Sequence, residues 1–367
     1  MPYAHITGWG VSVPEPVLTN DDIAKMVDTN DEWIRERTGI RERRIAREDQ
    51  YTSTLAIEAS LKALQVANLA PTELDLIIVS SSTPEHIFPA TACIVQDAIG
   101  ATKAGAFDLL AACTGFIYAV NMAGQSIRSG SIKNALVIGS ETLSRFVDWK
   151  DRNTCILFGD GAGAFVMQAS DQPGGLLSAV MRSDGSGADL LTLLGGGARY
   201  PASEATVHEG KHYIRMEGKA VFRFATRAVG SVTREALDLA GLKVEDVDLI
   251  VPHQANYRII ETAAKYLKMP LEKFVVNVDR YGNTSTASIP IAAVEAVEKG
   301  KLKAGDKVVF VGFGAGLTWG ALAAEWTGPV PTKKHVHPEQ YRFFARLRSL
   351  ARRALRFIEG LFSRREL

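Results

Sequence analysis

The order of apolar runs and helical patterns in the first half of this 367-residue chain is repeated in the second. LDLIIVSSS (74–82) reads as a fully buried strand and ATACIVQDAIG as a helix stopped at Gly100. GAFDLL (105–110) is a strand, a helix runs from about Cys113 to Arg128, and NALVIGSE (134–141) is another strand. Some 170 residues later the same order returns in VDLIVPHQ (247–254), a helix over 256–267, FVVNV (274–278), a helix from Asn283 to Lys299, and DKVVFVGFGAG (306–316). Units of this size are not solenoid repeats, so two similar halves packed together are expected. The alternation selects an α/β architecture. An unduplicated doubly wound sheet shows the same alternation, and pattern alone leaves that alternative open. CILFGDGAGAFVM (155–167) reads as two strands around a glycine turn, and 170–215, with its glycines and HYIRM, as a loop and hairpin insert. The expected units are 1–170, 171–327 (insert plus C-terminal half), and a linker and tail over 328–367.

Hydrophobic residues at 46% and charged residues at 23% exclude disordered and fibrous architectures. The net charge of +1 hides an asymmetry. Residues 331–367 hold 10 Lys and Arg against 3 Asp and Glu, which leaves the body at −6. No chain-wide field for nucleic acid exists. Three cysteines are too few and odd in number for a disulfide framework, which points to a reducing compartment. The start, MPYAHITGWGVSVPE, has no signal-peptide pattern, and no apolar run approaches the ~18 residues of a membrane span. A cytoplasmic protein is expected.

Cys113 stands where a strand gives way to a helix striped by Phe116, Ile117 and Val120. A thiol at a helix N-terminus feels the positive end of the macrodipole, which favours thiolate. His253 follows an apolar strand in PHQAN, at the carboxyl end where α/β sheets gather ligands. Asn283, in YGNTSTAS, holds the position in the second half that Cys113 holds in the first. Each alone has an ordinary structural reading: a buried small hydrophobe, a satisfied loop histidine, an Asx turn. If a pseudo-twofold relates the halves, all three converge. A thiolate to accept an acyl group and two neutral donors for an enolate oxygen suit decarboxylative carbon–carbon bond formation. Cys93 and Cys155 lack such a setting. GDGAGA (159–164) fits a loose dinucleotide fingerprint but lies between strands, so a glycine turn is expected there. His208 and His212 sit in a glycine-broken hairpin context, and no metal site is expected.

DLLAACTGF, PHQAN, GNTSTAS, GFGAGLTWG, NDEWIRERTGIRERRI and FGDGAGA, in this order and spacing over about residues 1–327, resemble the β-ketoacyl-acyl carrier protein synthase III family of the thiolase superfamily. The resemblance implies a thiolase-like fold, two duplicated α/β halves in a layered αβαβα sandwich. It implies acylation of Cys113 by a primer acyl-CoA, and stabilisation by His253 and Asn283 of the enolate formed when malonyl-carrier protein loses carbon dioxide. The backbone N–H groups of Cys113 and Ala315 would form the oxyanion hole. Trp33, Arg37, Arg152, Gly218 and Asn256 would hold coenzyme A, which is substrate rather than cofactor; none is expected as a cofactor. Phe88, reaching from a partner protomer, and Phe313 would shape the acyl pocket, so a homodimer is implied. Gln254, Ala255, Asn256, Tyr257 and Arg258, with Arg223 beside them, match the carrier-docking segment, where cationic side chains also suit an acidic partner on physical grounds. Lys219 and Ala315 depart from the residues common in the family.

The tail departs most, since family members usually end near Trp326. Phe343, Leu347, Leu350, Ala354, Phe357, Ile358 and Leu361 fall on one helical face, and Arg348, Arg352, Arg353 and Arg356 on the other. Pro329, Pro331 and Pro338 mark the linker. Such a helix can lie on an anionic membrane, bind an acidic partner, or dock on its own acidic body. Two further functions compete with initiation of fatty acid synthesis. One is a chalcone-synthase-like or secondary-metabolite enzyme that uses malonyl-CoA, given GFGAG. The other is a non-catalytic acyl- and carrier-binding scaffold.

Overall fold

The computed structural model describes residues 1–329 and 335–363, with side chains as far as Glu359. Its strands are β1 (Tyr3–Ser12), β2 (Val17–Thr19), β3 (Glu42–Arg44), β4 (Leu76–Ser80), β5 (Gly105–Leu109), β6 (Asn134–Thr142) and β7 (Asp160–Ser170) in the first half. The second half adds β8 (Gly175–Ser183), β9 (Leu191–Leu193), β10 (Ile214–Met216), β11 (Leu249–Pro252), β12 (Lys307–Gly314) and β13 (Thr318–Glu325).

The repeat read from the sequence is the topology of the two main sheets. One runs β1-β7-β6-β4-β5, the other β8-β13-β12-β11. In each, the first three strands pair antiparallel and the next pair is parallel. Between the sheets lie two helices, Gly115–Arg128 and Ser288–Glu298. Thr52–Ala67 and Thr91–Ile99 cover the outer face of the first sheet, and Gly218–Ala240 and Tyr257–Leu267 that of the second. The result is five layers, αβαβα. Burial on both faces explains why the strands read as continuous apolar runs rather than alternating ones.

Four local readings change. FVVNV forms no strand: Phe274 makes only an isolated parallel bridge to Ile250, where a fifth strand of the second sheet would stand. Beyond that point Gln254 supplies the ladder's hydrogen bonds. Its Oε1 accepts the N–H groups of Asn277 and Val278, and its Nε2 donates to Val275 O at 3.0 Å. The 155–167 stretch is one strand, β7, entered from a single-turn helix at Arg152–Cys155. Its glycines serve close packing, for a Cβ on Gly163 would stand 2.6 Å from Pro290 Cβ of the central helix. The stretch 170–215 contributes β8 to the second sheet, then the short β9–β10 ladder and a one-turn helix at Glu204–His208. Finally, the helix after Asn283 starts at Ser288, behind a 3-10 turn over Ser285–Ala287.

The tail forms a helix over Pro338–Ser363, with Pro338 at a first-turn position that needs no N–H partner. Pro331 lies outside the described residues, and Leu361 outside the described side chains. No described helix is long and apolar enough to cross a membrane.

Tight strand–helix contact gives a test. A Cβ on Gly10 of β1 would meet Ala59 O at 2.2 Å, backbone that cannot step aside, whereas Gly197 has nothing within 4 Å. Gly10→Ala should therefore cost about 3 kcal/mol, read as a lowered urea midpoint, with Gly197→Ala close to neutral.

Candidate active site

Cys113 sits in the 3-10 turn Ala112–Thr114 between β5 and the first central helix. The turn is pressed against the end of β12: a Cβ on Gly314 would stand 2.7 Å from Cys113 N. Thr114 Oγ1 and Thr318 Oγ1 lie 3.0 Å apart, and Thr318 donates to Ala111 O, which ties the turn to the other half. Ala112 takes φ +46°, a left-handed conformation that a side chain adopts only under such constraint.

His253 follows β11, and its N–H donates to Val311 O at 2.8 Å. The imidazole is buried. Its Nδ1 lies 2.6 Å from Ser288 Oγ, while Nε2 has no partner among the described residues. Ser288 Oγ also accepts the Gln254 N–H, and in the tautomer where its hydroxyl donates to Nδ1 the ring proton is on Nε2. Asn283 is clamped by the first half: its N–H donates to Leu157 O and its carbonyl accepts from Gly159 N. Asn283 Oδ1 accepts the Ser285 N–H at 2.8 Å, which leaves the donor end, Nδ2, for the cavity.

The three side chains line one cavity of about 80 Å³ together with Gly218, Ala255, Asn256, Phe222 and Phe313. A second cavity of about 100 Å³ also has Cys113 in its wall, with Ala315, Ser285 and the apolar Leu143, Leu193 and Ile214. Cys113 is thus the junction of two chambers. Phe313 belongs to the first, edge-on to His253 with ring centroids 5.3 Å apart, and not to the more apolar second.

Charges at the site are suppressed. Burial pushes the Cys113 thiol up to about 12, the negative charge of Glu141 acts the same way, and a Ser285 hydrogen bond opposes them. Desolvation favours the thiol, the opposite direction from the thiolate expected at a helix terminus. Burial alone lowers His253 to about 3, so its imidazole is neutral. The sequence reading did not single out Glu141. Its carboxyl is buried and raised to about 7, although Thr83 Oγ1 at 2.6 Å, the Ser82 N–H and the Ser285 hydroxyl donate to it. Ser285 thus opposes the upward shift of both the thiol and the carboxyl. A Glu closing an apolar strand at the sheet's carboxyl end was the available signal. Ser288 was visible inside GNTSTAS, but nothing local marked it as the partner of His253.

Other expected residues separate into two groups. The guanidinium carbons of Arg37 and Arg152 stand 5.3 and 4.8 Å from the Trp33 ring centroid. That exposed cluster reaches the cavity mouth through Asn256, whose Nδ2 donates to Arg37 O at 2.9 Å. Arg223 and Arg258 are exposed, with Arg258 over the Phe222 ring, and Tyr257 is half-buried against Gly39. Gln254 is the correction. It is 1% exposed with its amide fully engaged, so it offers a docking partner nothing and acts as structural support. Phe88, 84% exposed, lines neither chamber.

Comparison with known proteins decides the family. Residues 107–185 match the family model for 3-oxoacyl-[acyl-carrier-protein (ACP)] synthase III, and residues 237–326 match its C-terminal model. A β-ketoacyl-[acyl-carrier-protein] synthase III of Desulfitobacterium hafniense (strain DSM 10664 / DCB-2) is 54% identical over 322 residues, which are 88% of this chain and 97% of that protein. The chain belongs to the β-ketoacyl-acyl carrier protein synthase III family. It is accordingly a condensing acyltransferase of fatty acid synthesis with the thiolase-like fold. The crystal structure of 3-oxoacyl-[acyl-carrier-protein] synthase III from Aquifex aeolicus VF5 superposes with a TM-score of 0.81 at 49% identity, covering 88% of this chain and 99% of that one. The priming β-ketosynthase from the R1128 polyketide biosynthetic pathway gives 0.83 at 36% identity, covering 89% and 97%.

Two measurements test the site. A buried, high-pKa thiol predicts that iodoacetamide labelling of Cys113, read by peptide mass, rises about tenfold per pH unit from pH 7 to 9.5; a plateau by pH 7.5 would mean a resting thiolate. Ser288→Ala should slow malonyl decarboxylation by about tenfold or more, because the His253 ring loses its fixed tautomer. Acylation of Cys113 should stay within about twofold of the parent rate.

Proposed function

We propose that the protein condenses a primer acyl-CoA, acetyl-CoA or a similar thioester, with malonyl-acyl carrier protein through an acyl-Cys113 intermediate. The observation that carries this reading is the meeting of two chambers at Cys113, with the unpartnered Nε2 of His253 in the wall of one. A thioester threaded through the first chamber places its carbonyl at the sulfur. Its acyl chain then passes into the second, among Leu143, Leu193 and Ile214.

In the first half-reaction Cys113 Sγ bonds to the thioester carbon and coenzyme A leaves as the thiol, carrying away the cysteine proton. The oxyanion faces the N–H groups of Cys113 and Ala315, fixed donors of the kind that stabilise tetrahedral intermediates. Trp33, Arg37 and Arg152 hold the nucleotide end, with Gly218 and Asn256 along the arm. In the second half-reaction the malonyl thioester enters the same chamber. As carbon dioxide leaves, negative charge moves onto the thioester oxygen, where His253 Nε2–H and Asn283 Nδ2–H donate. The carbanion carbon attacks the acyl-Cys113 carbonyl, the carbon–sulfur bond breaks, Cys113 leaves as thiolate and takes up a proton from solvent, and the β-ketoacyl product departs on its carrier. Two neutral donors in a narrow, largely apolar chamber stabilise the enolate without themselves titrating.

Arg223 and Arg258, exposed beside the mouth, suit the acidic surface of a carrier protein, flanked by Ala255, Asn256 and Tyr257. A homodimer is supported by Ile87 and Phe88, 82% and 84% exposed, near the unpaired edge of β5, where Leu110 is also exposed. Free cysteines fit a reducing cytoplasm.

Intact mass after mixing with a panel of acyl-CoAs provides the test. One acyl group should add to the parent protein and none to Cys113→Ser, and malonyl-carrier protein should then unload it. Unloading by malonyl-CoA instead would favour the secondary-metabolite reading, and no adduct from any acyl-CoA would overturn the mechanism.

A further inference from the structure

The tail helix lies beyond the region shared with the family. Relatives are covered to 97–99% by 88–89% of this chain, and the family match ends at Trp326. The helix docks on its own body near its start, through the face opposite its apolar stripe. Ala345 is 3% exposed and packs at Gly100, where the helix Thr91–Ile99 ends. Ser349 Oγ donates to Asp97 at 2.6 Å, and Arg348 pairs with the same carboxylate at 3.4 Å. Val336 N–H donates to Asn68 Oδ1.

Phe343, Leu347, Phe357 and Ile358 consequently face away from the body and Leu350 sits at the rim of the cleft between the helix and Pro89–Ala98, each of the five 46–70% exposed. From Leu350 to Glu359 every residue is exposed, with Leu350 and Arg353 the last to border the body, across a cleft from Cys93 and Ile94. Arg346 and Arg353 border the apolar stripe, and Arg352 and Arg356 project from the departing part. None of the four has an acidic partner among the described residues. A helix of 26 residues is about 39 Å long.

We propose that this helix is a membrane-surface anchor, lying in the headgroup region of an anionic bilayer with Phe343, Leu347, Leu350, Phe357 and Ile358 at the acyl boundary and its arginines among lipid phosphates. Bulky apolar side chains along one face and arginines at its border and beyond are what such an interface accepts. A second copy of the helix is a poorer occupant. Stripe-to-stripe pairing would bring arginine against arginine, and residues 338–359 hold only Glu339 and Glu359 to offset six arginines. An acidic soluble protein would answer the charge but leave the long apolar stripe wet.

The test is co-sedimentation of the full chain with phosphatidylcholine vesicles and with vesicles containing about 30% phosphatidylglycerol. Binding to the anionic vesicles should exceed that to the neutral ones at least tenfold and weaken as salt is raised. Leu350→Glu with Phe357→Glu should reduce it at least tenfold while acyl loading of Cys113, which reports the fold, is unchanged. Failure to bind anionic vesicles, binding that the double variant leaves intact, or a concentration-dependent oligomer abolished by that variant without any vesicle binding would each overturn the proposal.

Discussion

The reacting centre depends on two backbone turns pressed against strand ends that lack side chains. Gly314 lets the Cys113 turn approach β12, and Gly139 lets the turn after Asn283 approach β6, where a Cβ would meet Thr286 O at 2.5 Å. A third contact sets the helix itself: a Cβ on Gly115 would stand 2.1 Å from Ser80 Oγ. In each case a strand or turn of one half meets a strand or helix start beside it with no room for even a methyl group. Packing at that density transmits position, so the fold fixes the distance between thiol, imidazole and amide before any ligand arrives.

That constraint explains which parts were legible in the sequence. Strand–helix order is a local property of apolar spacing, and the two sheets repeat the same strand order and directions. Cys113 and His253 were found because each follows an apolar strand at a carboxyl end, a position that spacing reveals; Asn283 was found from its place in the repeat, although the apolar run before it forms no strand. What spacing does not reveal is a side chain standing in for a strand. Gln254 looked like a polar docking residue and is instead the side-chain partner of four backbone groups, three of them in the stretch Val275–Val278, where FVVNV forms no ladder. Likewise the glycines of FGDGAGA signalled a turn, whereas they admit distant neighbours: Tyr281 O at Gly159, Ile291 at Gly161 and Pro290 at Gly163. Non-local contacts of this kind leave no periodic trace.

Electrostatics was the other hidden layer. The helix terminus at Cys113 is a sequence-visible feature, but burial is not, and burial is the larger effect. The same burial that raises the thiol lowers the imidazole, so the pair rests neutral. For proton linkage the two raised acids and the lowered base act in opposite senses. Glu141, raised above its unfolded value, contributes stability below about pH 4.5 that is lost as pH climbs through about 7. His253, lowered, contributes nothing to that loss and instead disfavours the fold as pH falls below its unfolded value near 6.5 toward 3. The chain therefore carries a polar cluster that weakens it on both sides of mildly acidic pH, a stability cost borne at the reacting centre.

Neutrality has a chemical consequence. A protonated imidazole would bind a carboxylate in the ground state and hold a malonyl group before its carbon dioxide leaves. A neutral N–H donor in a water-poor chamber interacts weakly with the resting thioester and strongly with the enolate oxygen that replaces it, so the stabilisation is concentrated where charge develops. Ser288 matters in that balance because it decides which imidazole nitrogen bears the proton. With Nδ1 committed to the hydroxyl, the donor faces the cavity, and Asn283, its oxygen already taken by Ser285, can only donate as well. Two hydrogen bonds remote from the reaction therefore leave the wall of the chamber with donors alone, the polarity that an enolate requires and a carboxylate-bearing ground state does not monopolise.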